Sequence, residues 1–405
     1  MNIAIIGGGA AGMMAAIKAL ENGNKVTLYD KNDRPGKKLY ITGKGRCNIT
    51  NDASRDEFFD NVLGNNKFLY SAFNAFSNQD MIDFIEGLGC PVKVERGGRV
   101  FPLSDKSSDV IKALKNRLQE LGCNFKFNSD VKEIIPCNEG FDIVTDNDRT
   151  SYEKVVITTG GNSYPITGSN GDGYKLLKKL GHSITDIRPA LVPMNSSDYF
   201  IKDLQGLTLK NVRLSMVVDG KQKYEEMGEM LFTHFGISGP LVLSASSVLA
   251  HVKEYKTVKC IIDLKPALSV EQLDERLIRE FKEGNLKNIN NVIPNLYPHS
   301  LCPVMLRLSN LDPYKKCNVI SKEERQRLVN VTKNFEIKID SVRDFNEAII
   351  TKGGVNLKEI NPKTMESKIV PGLYLAGEVI DLDAFTGGFN LQIAWSTGYL
   401  AGMSL

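Results

Sequence analysis

An α/β fold, in which one parallel-sheet domain is started, interrupted and finished later in the chain, is predicted by three features of this 405-residue sequence. The first is Ile3 to Ile6, a short apolar run suited to burial on both faces of a sheet. It runs into Gly7-x-Gly9-x-x-Gly12, and Ala10 to Leu20 is rich in good helix formers. The second is a change of texture from about Pro189 to Ser341. Strand-like pieces up to about Leu264 there give way to charged helical runs, SVEQLDERLIREFKEG and SKEERQRLVNVT. The third is a return to the first texture over Gly372 to Ala401: GLYLAGEVID reads as a strand entering glycine and acids, and TGGFNLQIAWSTGYLAG as a glycine pair opening a helix.

In a strand–turn–helix of the first kind each glycine has its own task. Gly7 makes the tight turn, Gly9 lets backbone approach a pyrophosphate, and Gly12 lets helix and strand pack closely. The helix start offers free N–H groups and a partial positive charge to phosphate. After Gly23, KVTLYD reads as a second strand ending in Asp30, eighteen residues past Gly12, where an acid can bond ribose hydroxyls. From Ser77, Met81, Phe84, Ile85 and Leu88 share a helical face that stops at Gly89. A second helix, about Ser107 to Leu121, repeats the logic with Ile111, Leu114, Leu118 and Leu121 before Gly122. The period then shortens: FKF, VKEIIP, FDIVT and KVVITTGG are strand candidates, separated by turns at Asn138-Glu139-Gly140 and Asp146-Asn147-Asp148. The last of them, Val155 to Thr158, runs into glycines and re-enters the parallel sheet. Two distant segments that each aim a glycine-rich turn or helix start at a ligand point to one long ligand held from both ends. Flavin adenine dinucleotide suits this better than a nicotinamide dinucleotide.

Composition narrows the class. Hydrophobic content of 42% and charged content of 24% are those of a globular protein, and a formal net charge of +3 gives no argument for nucleic acid or an anionic membrane as partner. No run of 18 apolar residues occurs and the first strand begins at residue 3, so a cytoplasmic protein is expected. Seven scattered cysteines without CxxC spacing fit reduced thiols. His182, His234, His251 and His299 show no metal-ligand spacing, and no metal is expected.

Four motifs carry a family resemblance: TGKGRCNITN (42–51), TTGGNSYPITGSNGDGY (158–174), GEMLFTHFGISGP (228–240) and GEVIDLDAFTGGFNLQIAWSTG (377–398). In this order and over nearly the whole chain, the sequence resembles the bacterial HI0933-like flavoproteins, which include aminoacetone oxidase-like enzymes and members implicated in reducing bile-acid enones. The resemblance implies a discontinuous Rossmann-like FAD-binding domain over 1–189 and 346–405. An inserted β-rich substrate domain would span 190–265 and a small helical domain 266–345. Asp30 stands where glutamate is commoner in FAD-type fingerprints, and Ala384 where glycine is expected. The expected FAD contacts are Gly7, Gly9, Ala10, Ala11, Gly12, Asp30, Lys31 and Lys38; Thr42, Gly43, Gly45, Arg46, Cys47 and Asn48; and Val131, Thr159, Gly160 and Gly161. Gly377, Glu378, Asp381, Asp383, Gly387, Gly388, Asn390 and Leu391 complete the set from the C-terminal segment.

The chemistry follows from residue types. In KGRCN, Gly43 and Gly45 would bring backbone close to a flat ring, and Arg46 or a neighbouring N–H would stabilise negative charge; the alternative is a solvated basic turn. The resemblance puts this loop beside the isoalloxazine. Cys47, with no partner cysteine nearby, reads as a packed residue rather than a redox thiol. TGGFNLQ would direct a helix start at the flavin pyrimidine, worth about 0.3 to 2 kcal/mol to a developing anion. Of Asp381 and Asp383, one is expected to bond ribitol hydroxyls and the other to be a solvated cap. His234, among apolar neighbours, is either a hydrogen-bonded structural residue or a proton donor presented by the insertion. Arg99 is either an exposed hairpin charge or a ligand for a substrate carbonyl or carboxylate. His234, Arg46 and Arg99 are the catalytic candidates.

The expected function is a flavin oxidoreductase acting on a small organic substrate. Reduction of an activated C=C bond leads, with NADH or NADPH as a transient donor because GSNGDG lacks the spacing of a second dinucleotide fingerprint. Oxygen-dependent amine oxidation and a non-catalytic flavin sensor are the alternatives.

Overall fold

Ile3 to Ile6 forms the middle of a five-stranded parallel sheet, and its burial on both faces follows from that place. The strand β1 (Asn2–Ile6) pairs with β2 (Lys25–Tyr29) on one side and with Lys154–Ile157 on the other. Asn124–Lys126 extends the sheet beyond β2, and Leu373–Leu375 extends it beyond Lys154–Ile157. Both outer strands match the sequence reading, and the last is contributed from more than 200 residues further along. The computed structural model describes residues 1–405. Contacts divide the chain into two units, Met1–Ala190 with Asp344–Leu405, and Leu191–Arg343.

In the first unit the helix α1 (Ala10–Glu21) lies against the C-terminal helix Phe389–Met403, and small residues bring their backbones together. A Cβ on Gly398 would stand 2.3 Å from the Ala11 carbonyl oxygen. The C-terminal helix is apolar nearly all round and buried accordingly, with Trp395 at 0% exposure. The expected helices at Asn78–Gly87 and Ser107–Glu120 form, the former behind a reciprocal Ser77–Asp80 cap. The meander Val131–Cys137, Gly140–Thr145, Arg149–Tyr152 turns at the two predicted clusters.

The second unit carries a seven-stranded antiparallel sheet. Its order is Phe335–Ile339, Val258–Asp263, Thr208–Val218, Lys221–Phe232, Gly236–Ser238, Met194–Asn195, Ser341–Val342. Along Thr208–Val218 the residues Val212, Leu214, Met216 and Val218 alternate inward, which fixes the buried face. The texture reading expects strand-like pieces up to about Leu264 and names no helix among them, but Pro240–Ala250 is a helix. Proline at its first position presets φ and lacks only an N–H that would have no helical partner there, and the Leu/Ala/Ser run behind it buries as a helix. Helices Val270–Glu283 and Lys322–Lys333 stand where the charged runs predict them, each behind a capping box from Ser269 or Ser321. The two strands flanking this helical stretch, Val258–Asp263 and Phe335–Ile339, are neighbours in the sheet.

Candidate cofactor-binding and active site

At the N-terminal end of the site, Gly7 has φ +105°, and a Cβ on Gly12 would fall 1.9 Å from the Gly7 carbonyl oxygen, so only glycine lets α1 leave the strand at this angle. Gly9 caps α1 without any side-chain cap, no acid lies in the first turn, and a Cβ on Gly9 would meet nothing within 4 Å. The first-turn N–H groups that follow Gly9 thus carry the positive end of the helix, with open space beside Gly9. Asp30 at the end of β2 accepts the Gly8 N–H at 2.8 Å, the Asn32 N–H at 2.8 Å and Asn32 Nδ2 at 2.9 Å. Burial raises its pKa, and these hydrogen bonds oppose the rise. Its carboxylate thus shapes the glycine turn.

Three of the expected side-chain contacts here are engaged with protein partners. Lys31 Nζ bonds Asn170 Oδ1 at 2.7 Å and Asp172 Oδ2 at 3.0 Å. Lys38 Nζ bonds Ser163 Oγ at 2.6 Å and Glu378 Oε2 at 2.7 Å. Glu378 also accepts the Thr351 N–H at 2.8 Å and Ser163 Oγ at 2.9 Å. These charges are paired instead of facing an anion bare; Lys31 lies against Gly168, and Glu378 against the Gly160–Gly161 turn. Thr159 Oγ1, beside that turn, is buried without a partner, and Val131 is buried nearby in sequence to none of these groups.

The other end is assembled from residues far apart in sequence. The helix α2 (Lys37–Gly45) breaks at Thr42 (ψ 150°), and Gly43, Lys44, Gly45 and Cys47 all have positive φ before the chain enters β3 (Thr50–Asn51). Three successive residues then lash this stretch to the C-terminal helix. Ile49 O accepts Trp395 Nε1 at 3.0 Å, Thr50 Oγ1 donates to Gln392 Oε1 at 2.7 Å, and Asn51 Nδ2 donates to Gly387 O at 2.9 Å. A Cβ on Gly388 would sit 2.3 Å from Thr50 O, so the paired glycines answer a close backbone approach. Gly388 caps the C-terminal helix with φ +106°, again with no side-chain cap and no acid in the first turn.

Here too the expected side chains have particular duties. Asn390 clasps its own turn, accepting Ala384 N–H at 2.9 Å and donating to Ala384 O at 2.8 Å and Phe385 O at 3.1 Å, which leaves the backbone N–H groups of Asn390 and Leu391 as the donors. Asp383 is buried, and Asp381 lies 3.7 Å from Lys352 Nζ, so neither is a solvated cap. The Arg46 guanidinium bonds both Glu95 oxygens at 2.8 and 3.1 Å and Asp105 at 3.0 Å, and lies 3.9 Å over the Phe101 ring. Its hydrogen bonds to Glu95 hold its own pKa up and that of Glu95 down. This pairing argues against the Arg46 side chain as a free stabiliser of negative charge; it braces the Gly43–Asn48 loop. Cys47 is fully buried and burial pushes its thiol up to about 12, which makes it inert as a redox group. Asn48 Oδ1 is buried without a partner.

The remaining catalytic candidates are exposed. Arg99 belongs to the first unit, at the start of the hairpin strand Arg99–Pro102, with Nε donating to Arg96 O at 3.0 Å. His234 belongs to the second, on the turn between Lys221–Phe232 and Gly236–Ser238. Its ring meets Phe235 edge-on at 5.0 Å, and the Arg343 guanidinium lies 4.5 Å over the Phe235 ring. A packed, hydrogen-bonded histidine is therefore not what the fold makes of it, because the turn carries the side chain outward. Thr50, Asn51, Gln392 and Trp395 lie in the quoted motifs but are not among the expected site residues. The signals were the single tryptophan of the chain and the polar ITN that ends the KGRCN motif.

Two helix starts without caps or first-turn acids, open space at Gly9, and buried orphan oxygens on Asn48 and Thr159 fit a long dinucleotide with an anionic middle and a polar flat ring. Fold and site together define an FAD-dependent oxidoreductase of the Rossmann type. The family described as HI0933-like protein Rossmann domain matches residues 1–404, and the chain belongs to it. It is 30% identical over 403 residues to the 3-dehydro-bile acid delta(4,6)-reductase of Clostridium scindens, covering 99% of this chain and 98% of that protein. It is 28% identical to the ribosomal RNA dihydrouridine synthase of Escherichia coli, over 99% of this chain and 97% of that one. Among solved structures, the 3-ketosteroid-delta4-(5alpha)-dehydrogenase of Rhodococcus jostii shares the fold, with a TM-score of 0.52 at 14% identity over 99% of this chain and 96% of that one. No helix is long and apolar enough to cross a membrane.

Proposed function

We propose that the protein reduces a C=C bond conjugated to a carbonyl in a small organic substrate, with NADH or NADPH as visiting electron donor. The observation that carries this is the end-to-end likeness to relatives whose names describe different substrates but one reaction. A 3-oxo bile-acid dienone and the uracil ring both hold a double bond next to a carbonyl, and both names denote its reduction. When bound, FAD supplies the two-electron carrier. The chain's own residues hold and orient it: the α1 start and Asp30 take its phosphate and ribose end, and the backbone N–H groups of Asn390 and Leu391 face negative charge on its ring end. Such a helix start contributes about 0.3 to 2 kcal/mol. His234, whose exposed ring makes no hydrogen bond or ion pair in the fold, holds the proton that the carbon beside the carbonyl takes up. Arg99 orients the carbonyl oxygen.

A uracil within RNA is the second reading, supported by the relative's name, while a formal charge of only +3 favours the small molecule. Holoprotein reduced anaerobically is mixed in parallel with a 3-oxo-4,6-diene steroid, a uridine-containing RNA, oxygen, and an amine in the oxidised protein. Fastest reoxidation by the dienone is expected. Reduction by the amine, with reoxidation by oxygen alone, would replace the reading by an oxidase. His234→Ala should keep the bound FAD and slow the enone step by roughly 100-fold or more. An unchanged rate would remove His234 from the mechanism.

A further inference from the structure

We propose that Asn51 is the positioning residue that sets the ring end of the cofactor site, a role that rests on the FAD reading above. Its side chain lies between two glycine pairs, Gly97–Gly98 and Gly387–Gly388, and all four glycines have positive φ. Such pairs have wide conformational freedom, and something else must hold them. The Asn51 amide does so with both of its hydrogens: Nδ2 donates to Gly97 O at 2.9 Å and to Gly387 O at 2.9 Å.

Asn51 is itself fixed. It is 3% exposed, its backbone pairs with Arg99 in the hairpin, and its carbonyl accepts Asn78 Nδ2 at 2.7 Å. A Cβ on Gly98 would stand 2.4 Å from Asn51 Oδ1, so glycine there makes room for the amide. One side chain thus joins the C-terminal helix start to the hairpin that carries Glu95, the partner of Arg46, and Arg99. The N–H groups of Asn390 and Leu391 follow directly on the Gly387–Gly388 turn, so their aim depends on how that turn is held. Asparagine is the side chain for this task. Aspartate would turn two acceptors on two carbonyls, serine offers one hydrogen, and glutamine is a methylene too long.

The test is Asn51→Ala in the full FAD-loaded protein, with Val110→Ala in the core of the same unit as a control of ordinary destabilisation. FAD affinity should fall about tenfold or more. The ratio of affinities for reduced and oxidised FAD should also fall about tenfold, read as a midpoint potential lower by about 30 mV. Val110→Ala should lower Tm and leave the potential in place. If Asn51→Ala does not yield folded holoprotein, Asn51→Ser, which keeps one donor, carries the same comparison in the same direction. A variant with lowered Tm but wild-type affinity and potential would reduce Asn51 to a structural role and overturn the proposal. A wild-type chain that takes up no FAD would fail the functional reading before any substitution is made, and the role of Asn51 with it.

Discussion

The two uncapped helix starts of the first unit, neither with an acid in its first turn, are held in different ways. At the α1 start, the glycines that make the turn lie within six positions of one another: Gly7 turns, Gly12 admits the Gly7 carbonyl, and Gly9 leaves open space, while Asp30 and Thr158 each add one hydrogen bond to it. At the start of the C-terminal helix, the turn is held by Ile49, Thr50 and Asn51, which are 346, 342 and 336 residues from their partners. The first is a local motif that any strand–helix unit can carry. The second exists only when the whole first unit is folded. On the proposed function, such a site should lose its phosphate end by a single clash and its ring end by a loss of long-range packing.

Substitutions at the local end should break the comparison most sharply. Gly12→Ala puts a methyl 1.9 Å from a backbone oxygen that has nowhere to go, so it should abolish folding as well as FAD binding, seen as loss of a cooperative melt. Gly9→Val should separate the two properties. Its Cβ meets no protein atom within 4 Å, so the Tm of the apoprotein should stay near wild type while FAD binding is lost to calorimetry. At the distant end the effect should be smaller and graded. Trp395→Phe keeps most of the buried ring but leaves the Ile49 carbonyl without its donor, costing about 1–3 kcal/mol by denaturant titration and weakening FAD without abolishing it.

The smallest effect concerns the paired lysine. Burial opposes ionisation of Asp172, but Lys175, Lys31 and Asn170 bring its pKa down to about 2 from 3.8. A depressed carboxylate contributes stability above its unfolded pKa and loses it as pH falls through the folded one. The Tm difference between wild type and Asp172→Asn should therefore be present at pH 5 and vanish between about pH 4 and pH 2. A constant difference across that range would mean that Lys31 is not paired with Asp172 in solution.

What was legible in the sequence divides by residue type. Gly7-x-Gly9-x-x-Gly12, the Asp30 strand end and the glycine pair at 387–388 report on positive-φ or closely approached backbone, which glycine declares in sequence whatever the distance of the neighbour. The engagement of Lys31, Lys38, Arg46 and Asn390 was not legible, because a charged or amide side chain declares its chemistry in sequence but not its partner. Arg46 looked free until Glu95 and Asp105, 49 and 59 residues away, were folded onto it. The helix at Pro240–Ala250 was missed because a short apolar run fits strand and helix alike, and its proline start was the cue to prefer helix.

Whether one ligand is gripped at both ends is tested by titrating the apoprotein with FAD, with ADP and with FMN by calorimetry. Two linked contacts should give FAD an affinity about 100-fold or more above either half alone, with both halves binding measurably and without competing. FMN or ADP binding as tightly as FAD would show that one helix start alone holds the cofactor, and would contradict the account.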